Sequence, residues 1–166
     1  DALCDLLWEL PDDPRAALRW SLTKLRPLLN DAASERLQAD RERVALALTD
    51  TDVDFIRVRQ ACAGDLGAMD ARDLHALADL FRGPFIAGLD LPTQPGFETW
   101  RLGQQEQARR FHLCVLDALA AKLDPAEACA TLRNRIDLDP GDEATHARLI
   151  ALLAQTGANG EAEQQH

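Results

Sequence analysis

The chain has 166 residues, a formal net charge of −10, 46% hydrophobic and 28% charged residues. That length holds one domain or two small ones, and that balance excludes a disordered chain. No apolar run approaches the roughly 20 residues needed to span a bilayer as a helix, and the net charge by itself argues against nucleic acid.

The charge is unevenly spread. Residues 1–13 carry five acids and no base. Residues 14–48 carry seven bases (Arg15, Arg19, Lys24, Arg26, Arg36, Arg41, Arg43) against four acids (Asp31, Glu35, Asp40, Glu42). One short positive segment therefore lies inside an acidic chain. The cysteines Cys4, Cys62, Cys114 and Cys129 form no C-x-x-C pair. They read as reduced, buried small hydrophobes, which favours a cytoplasmic protein.

In chain order, Leu3, Leu6, Leu7 and Leu10 make an i, i+3, i+4, i+7 stripe, predicting a short amphipathic helix over 2–10. "PDDP" breaks it, with Asp13 suited to the N-cap and Pro14 to the first helical position of a second helix. Leu18, Leu22, Leu25 and Leu29 form its inward stripe, and Pro27 is expected to kink or loosen its end. Two short helices around a tight turn, the second more basic, outline a helix-turn-helix. In "RLQADRERVALAL", Leu37 and Ala39, then Val44, Leu46 and Leu48, alternate about Asp40–Arg41–Glu42, a hairpin of period two.

From Asp52 onward the pattern is helical. Helices are expected at 53–63, 71–81, about 97–123, 126–137 and 142–156, with breaks at "DPGD" and "TGANG". A shift of 34 residues takes His112 to His146, Val115 to Leu149, Leu116 to Ile150, Leu119 to Leu153 and Ala120 to Ala154. It also takes Glu127–Ala128 to Glu161–Ala162, so another helix is expected to start at Glu161. This period marks tetratricopeptide-type helix pairs, which bury their apolar faces by stacking. The missing initial Met and the unfinished helix at "EAEQQH" predict a piece of a longer protein.

The stretch "LFRGPFIAGL" (80–89) has glycines five apart, Gly83 and Gly88, but Leu89 and Asp90 stand where a phosphate loop needs Lys and Ser or Thr. Together with "FETWRLGQQEQARR" (97–110) and "LDPGDEATHARLIALLAQTG" (138–157), it resembles the Streptomyces antibiotic regulatory protein family of bacterial transcriptional activators. That resemblance implies a mainly α chain: a truncated winged helix-turn-helix at 1–49, then a bacterial transcriptional activator domain of tetratricopeptide-like repeats at 50–166. The family's winged helix opens with a small sheet and a helix that this sequence lacks. Pro84 replaces an acid, and the hairpin tip lacks its usual glycine. On this reading Gly83 and Gly88 permit turns, while Phe81, Phe85, Ile86 and Leu89 fill the groove between winged helix and repeats.

The face of the second helix opposite its leucines holds Ala16, Arg19, Trp20, Thr23 and Lys24, with Arg15 and Arg26 at its edge. A major groove admits such a helix; Arg or Lys can reach guanine edges and Thr a thymine methyl. Arg15, Arg26, Arg41 and Arg43 would hold phosphates. Trp20 would meet sugar and phosphate or pack on a partner. The competing reading makes all of these solvated charges on a helix and a hairpin tip.

His75, His112, His146 and His166 have no metal-ligand spacing, and no nucleophile arrangement is present, so neither enzyme activity nor a cofactor is expected. The resemblance implies double-stranded DNA as a partner, with RNA polymerase, another protein or a second subunit meeting an acidic surface of the repeats. The alternative is a helical-repeat scaffold without DNA binding.

Overall fold

The computed structural model describes residues 2–8, 13–48, 53–91 and 93–155. Helices dominate, with one two-stranded antiparallel hairpin. Two compact units emerge: Asp1–Val53 with Phe85–Gln104, and Asp54–Pro84 with Gln105–His166.

In the first unit, α1 (Ala2–Leu7) packs on α2 (Pro14–Leu29). The contact face of α1 runs through Cys4, which is buried, with Leu7 and Trp8 half-buried one turn on. Leu3, expected inside, is exposed, because a six-residue helix can turn only one narrow strip toward its single neighbour. Leu10 lies outside the described residues.

Helix α2 starts as its sequence dictates. Asp13 Oδ1 accepts from Ala16 N–H at 2.9 Å, and Pro14 occupies the first turn, where no intrahelical donor is needed. Pro27 is accommodated inside the helix, which continues to Leu29. Its predicted leucine stripe is only partly covered. Leu22 is buried and Leu18 and Leu29 are half-buried, but Leu25 is 42% exposed. Leu28, off the stripe, is 78% exposed. Periodicity specifies which face is apolar, whereas burial also requires a neighbour, and α1 and a three-residue strand cover only part of α2.

Strands β1 (Leu37–Ala39) and β2 (Val44–Leu46) pair with Leu37 opposite Leu46 and Ala39 opposite Val44. The tip needs no glycine because Asp40 Oδ1 accepts from Glu42 N–H at 2.7 Å and Arg43 N–H at 2.8 Å, while Asp40 N–H donates to Arg43 O. This Asx turn does locally what a left-handed residue does elsewhere. The two backbone donors, offset in part by burial and aided by Arg43, hold the Asp40 carboxyl below the usual aspartate range. Asn30, which follows α2, secures the other side of β1. Its Oδ1 accepts from Leu37 N–H at 2.7 Å and its Nδ2 donates to Leu37 O at 3.5 Å.

The segment after Pro84 also belongs to this unit. Phe85 meets Trp100 edge-on at 6.0 Å, and Arg101 holds Glu98 at 2.6 Å. Leu91 N–H donates to Glu98 Oε1 at 3.3 Å, fixing the turn to the start of α5 (Pro95–Ala120). Of the two glycines, Gly88 takes a left-handed backbone, φ 82°, and Ile86, two residues earlier, does so too, φ 43°. Gly83 does not. Ile86 and Leu89 are exposed instead of filling a groove.

The second unit contains α3 (Asp54–Ala63), a 3-10 turn (Leu66–Ala68), α4 (Ala71–Ala78), the rest of α5, α6 (Pro125–Leu138) and α7 (Glu143–Gln155). Asp70 and Asp124 cap α4 and α6 as Asp13 caps α2. One core joins Val58, Leu77 and Val115, with Cys62, Phe81 and Phe111 against it. A second joins Ala120, Cys129, Leu132, Leu149 and Leu153. Fully burying each such Leu or Val stabilises by about 1.5–3 kcal/mol. Phe81 stacks on His112, ring centroids 4.1 Å apart.

Polar side chains close the α5–α6–α7 seam. Arg135 of α6 pairs with Asp117 of α5, with Asp142 and with Thr145 of α7, and Arg148 of α7 reaches Asp117 at 2.7 Å. Arg109 of α5 binds Glu106 and donates to the Leu138 carbonyl at 3.2 Å, satisfying an end of α6. The helix expected from Glu161 and the "TGANG" break lie outside the described residues.

Candidate nucleic-acid interface

Two elements of the first unit supply the basic residues. The lead-in from Asp13 sets the phase of α2, so that Arg15, Arg19, Trp20, Thr23, Lys24 and Arg26 are all exposed. The Asx turn sets the hairpin tip, exposing Arg41 and Arg43. An open groove of about 790 Å³ runs between α1, the N-terminal half of α2 and the tip. Arg15 and Arg19 line it from the helix, Arg41 and Arg43 from the hairpin, over an apolar floor of Leu18, Leu22 and Val44. Asp40 and Glu42 share its wall.

The structure thus brings four of the eight predicted residues to one groove. Trp20, Thr23, Lys24 and Arg26 do not line it. Trp20 is 66% exposed, and Lys24 Nζ stands 5.6 Å from its ring centroid, a cation–π contact worth about 0.5–1 kcal/mol at an exposed site. The Thr23 hydroxyl donates to the Arg19 carbonyl at 2.9 Å. Arg19 lies 3.7 Å from Asp13, both side chains well exposed, so this pair adds little stability and restrains Arg19 weakly.

Three features of the surface escape sequence reasoning. Leu25 and Leu28 add an exposed apolar strip toward the end of α2. Asp40 acts as the turn former that shapes the tip, a role its place two residues before the donating Glu42 N–H could have signalled. The expectation that all four cysteines are buried also fails. Cys4 and Cys129 are buried, Cys62 is half-buried, and Cys114 of α5 is exposed, because helical context alone does not decide burial.

In the second unit, several arginines lie in carboxylate pairs, among them Arg109–Glu106, Arg110–Glu106, Arg135–Asp117 and Arg148–Asp117. Among the described residues, no group of three or more His, Cys, Asp or Glu could hold a metal ion. No described helix is long and apolar enough to cross a membrane.

Residues 54–166, from the first residue of α3 onward, match the bacterial transcriptional activator domain. The chain belongs to that family. The match covers the helical second unit, together with the part of the first unit that enters α5. It leaves the candidate groove on residues that precede the activator domain. No curated protein and no solved structure matches the chain. The matched family is one of transcriptional activators, not a family of enzymes.

Proposed function

We propose that the chain is a regulator of the Streptomyces antibiotic regulatory protein type, binding duplex DNA through α2 and the hairpin. One observation carries this reading. Arg15, Arg19, Arg41 and Arg43 come from two separate elements to one groove, while Trp20 and Lys24 stand exposed on the same helix. A helix carrying cations beside a cationic hairpin tip matches what a duplex offers, a groove bordered by phosphates.

In this arrangement α2 enters the major groove as the recognition helix of a truncated winged helix-turn-helix. Arg19, Thr23 and Lys24 meet base edges, Trp20 packs along sugar and phosphate, and Arg15, Arg26, Arg41 and Arg43 hold the backbone. The helices of the activator domain form tetratricopeptide-like pairs. Val115 and Leu149, and likewise Leu119 and Leu153, stand 34 residues apart and are all buried, which supports that pairing. Their outer surface meets RNA polymerase, another protein or a second copy, in the cytoplasm.

A gel-shift series on the complete regulator tests this. Arg19→Ala or Lys24→Ala should cost about 1–3 kcal/mol of operator affinity, while Arg133→Ala leaves it unchanged. With four arginines on phosphates, log affinity should fall with log salt at a slope of roughly −3 to −4. Equal effects of all three substitutions would defeat the proposal.

A second reading, a helical scaffold without DNA binding, draws on the net charge of −10 and on a family match that omits the basic segment. It requires a complete protein that binds protein partners and shows no salt-sensitive affinity for duplex DNA.

A further inference from the structure

We propose that Cys62 and Cys114 form a peroxide-sensitive dithiol that closes into an intrachain disulfide across the α3–α5 seam. This inference is independent of DNA binding. Cys62, on the last turn of α3, points its Sγ at the Phe111 carbonyl of α5, 3.9 Å away. That carbonyl is directed along α5 toward the next turn, which carries Cys114 three residues on, on the same side of the helix. Two further contacts hold the helices in this register: Phe55 meets Phe111 at 6.0 Å, and Val58 and Val115 share one core.

The environments of the two sulfurs divide the roles. Cys114 is exposed and meets a soluble oxidant first. Cys62 is half-buried, and burial pushes its thiol up to about 11, with the neighbouring Cys114 adding to the shift. Cys62 therefore stays protonated at neutral pH and is spared direct attack. Cys4 and Cys129 are buried, Cys4 on α1 of the other unit and Cys129 in the core with Leu132 and Leu149.

The oxidant is a hydroperoxide. Its O–O bond breaks as one oxygen forms an S–O bond with Cys114, which is oxidised to the sulfenic acid while the peroxide is reduced to an alcohol, or to water from hydrogen peroxide. The Cys62 thiolate then attacks the Cys114 sulfur. The S–S bond forms, the S–O bond breaks, and the departing hydroxide combines with the proton lost by Cys62 to give water. Because only the thiolate attacks, this second step should accelerate about tenfold per pH unit between pH 7 and 10. Closure would tie α3 covalently to α5 within the activator domain.

The test treats the full chain with hydrogen peroxide, alkylates the remaining thiols and maps peptides by mass spectrometry. The expected product is a Cys62–Cys114 cross-linked peptide, with Cys4 and Cys129 still alkylated. Cys114→Ser should abolish the cross-link and leave Cys62 alkylated. Cys62→Ser should leave a Cys114 sulfenic acid that dimedone traps. Cys114 is exposed, so its variant keeps the test readable if the half-buried site tolerates substitution poorly; circular dichroism checks the fold of both. The proposal is overturned if Cys114 proceeds to sulfinic acid or to an interchain disulfide while Cys62 remains alkylated.

Discussion

Arg135 Nε and Asp117 Oδ2 stand 2.9 Å apart, tying α6 to α5, while the same guanidinium reaches Asp142 and Thr145 at the start of α7. The Arg135 side chain is only 11% exposed, and its buried Nε approaches Asp117 as an ion pair without a well-aimed hydrogen bond. Removing the guanidinium leaves Asp142 without its cation and Asp117 with Arg148 alone. Arg135→Ala should therefore destabilise the activator domain by about 2–4 kcal/mol, measured by urea denaturation. Arg135→Lys should recover little, because one ammonium cannot span three partners.

His112 gives stability a pH dependence of definite sign. Burial against Phe81 lowers its basicity from the ordinary value of 6.5, so the folded chain disfavours the charged ring. The unfolded chain then binds more protons below that value. The stabilisation is present above pH 6.5 and is lost as pH falls through the window below it. The unfolding free energy should decline between pH 7 and 5, and His112→Gln should flatten that decline. A second loss belongs to Asp142, whose carboxyl is held at about 2 by Arg135 and Thr145 in place of 3.8. Its contribution persists above 3.8 and disappears between there and pH 2.

The hairpin tip depends on Asp40. Asp40→Ala should speed amide hydrogen exchange at Glu42 and Arg43, which donate to its carboxylate. Asp40→Asn, which keeps the acceptor oxygen, should preserve most of the protection. If the tip orients Arg41 and Arg43 for phosphates, the alanine variant also loses DNA affinity without changing any basic residue.

Opposite outcomes are expected two residues apart in the turn before α5. Gly88→Ala places a β-carbon on a left-handed backbone and should cost about 1 kcal/mol, although the space beside it is open. Ile86→Gly relieves a β-branched residue from the same kind of conformation and should be neutral or stabilising. Thermal denaturation of the two variants distinguishes backbone strain from a packing role for Ile86.

Much of this architecture is legible in the sequence because its signals are local. Asp13–Pro14 and Asp124–Pro125 mark helix starts, Asp139–Asp142 marks a break, and the alternation at 37–46 marks the hairpin. What escapes depends on neighbours. The stripe on α2 reads as uniformly inward, yet Leu25 is left exposed because cover comes from elements elsewhere in the chain. Gly83 and Gly88 look alike in sequence, but only Gly88 uses its conformational freedom, while Ile86 takes a conformation that its side chain argues against. At the candidate interface, composition marks the basic residues, but not which of them converge. The grouping of Arg15 and Arg19 with Arg41 and Arg43 needs the hairpin folded back beside α2, a relation that no local pattern encodes.

The carboxamide of Asn30 occupies both the donor and the acceptor of Leu37, the sites at which an additional strand would dock onto β1. A three-residue strand with that side sealed cannot template cross-β growth there, so a single polar side chain guards this margin against self-association. Replacing it with alanine would expose a sticky margin, visible as concentration-dependent aggregation long before any loss of helix content.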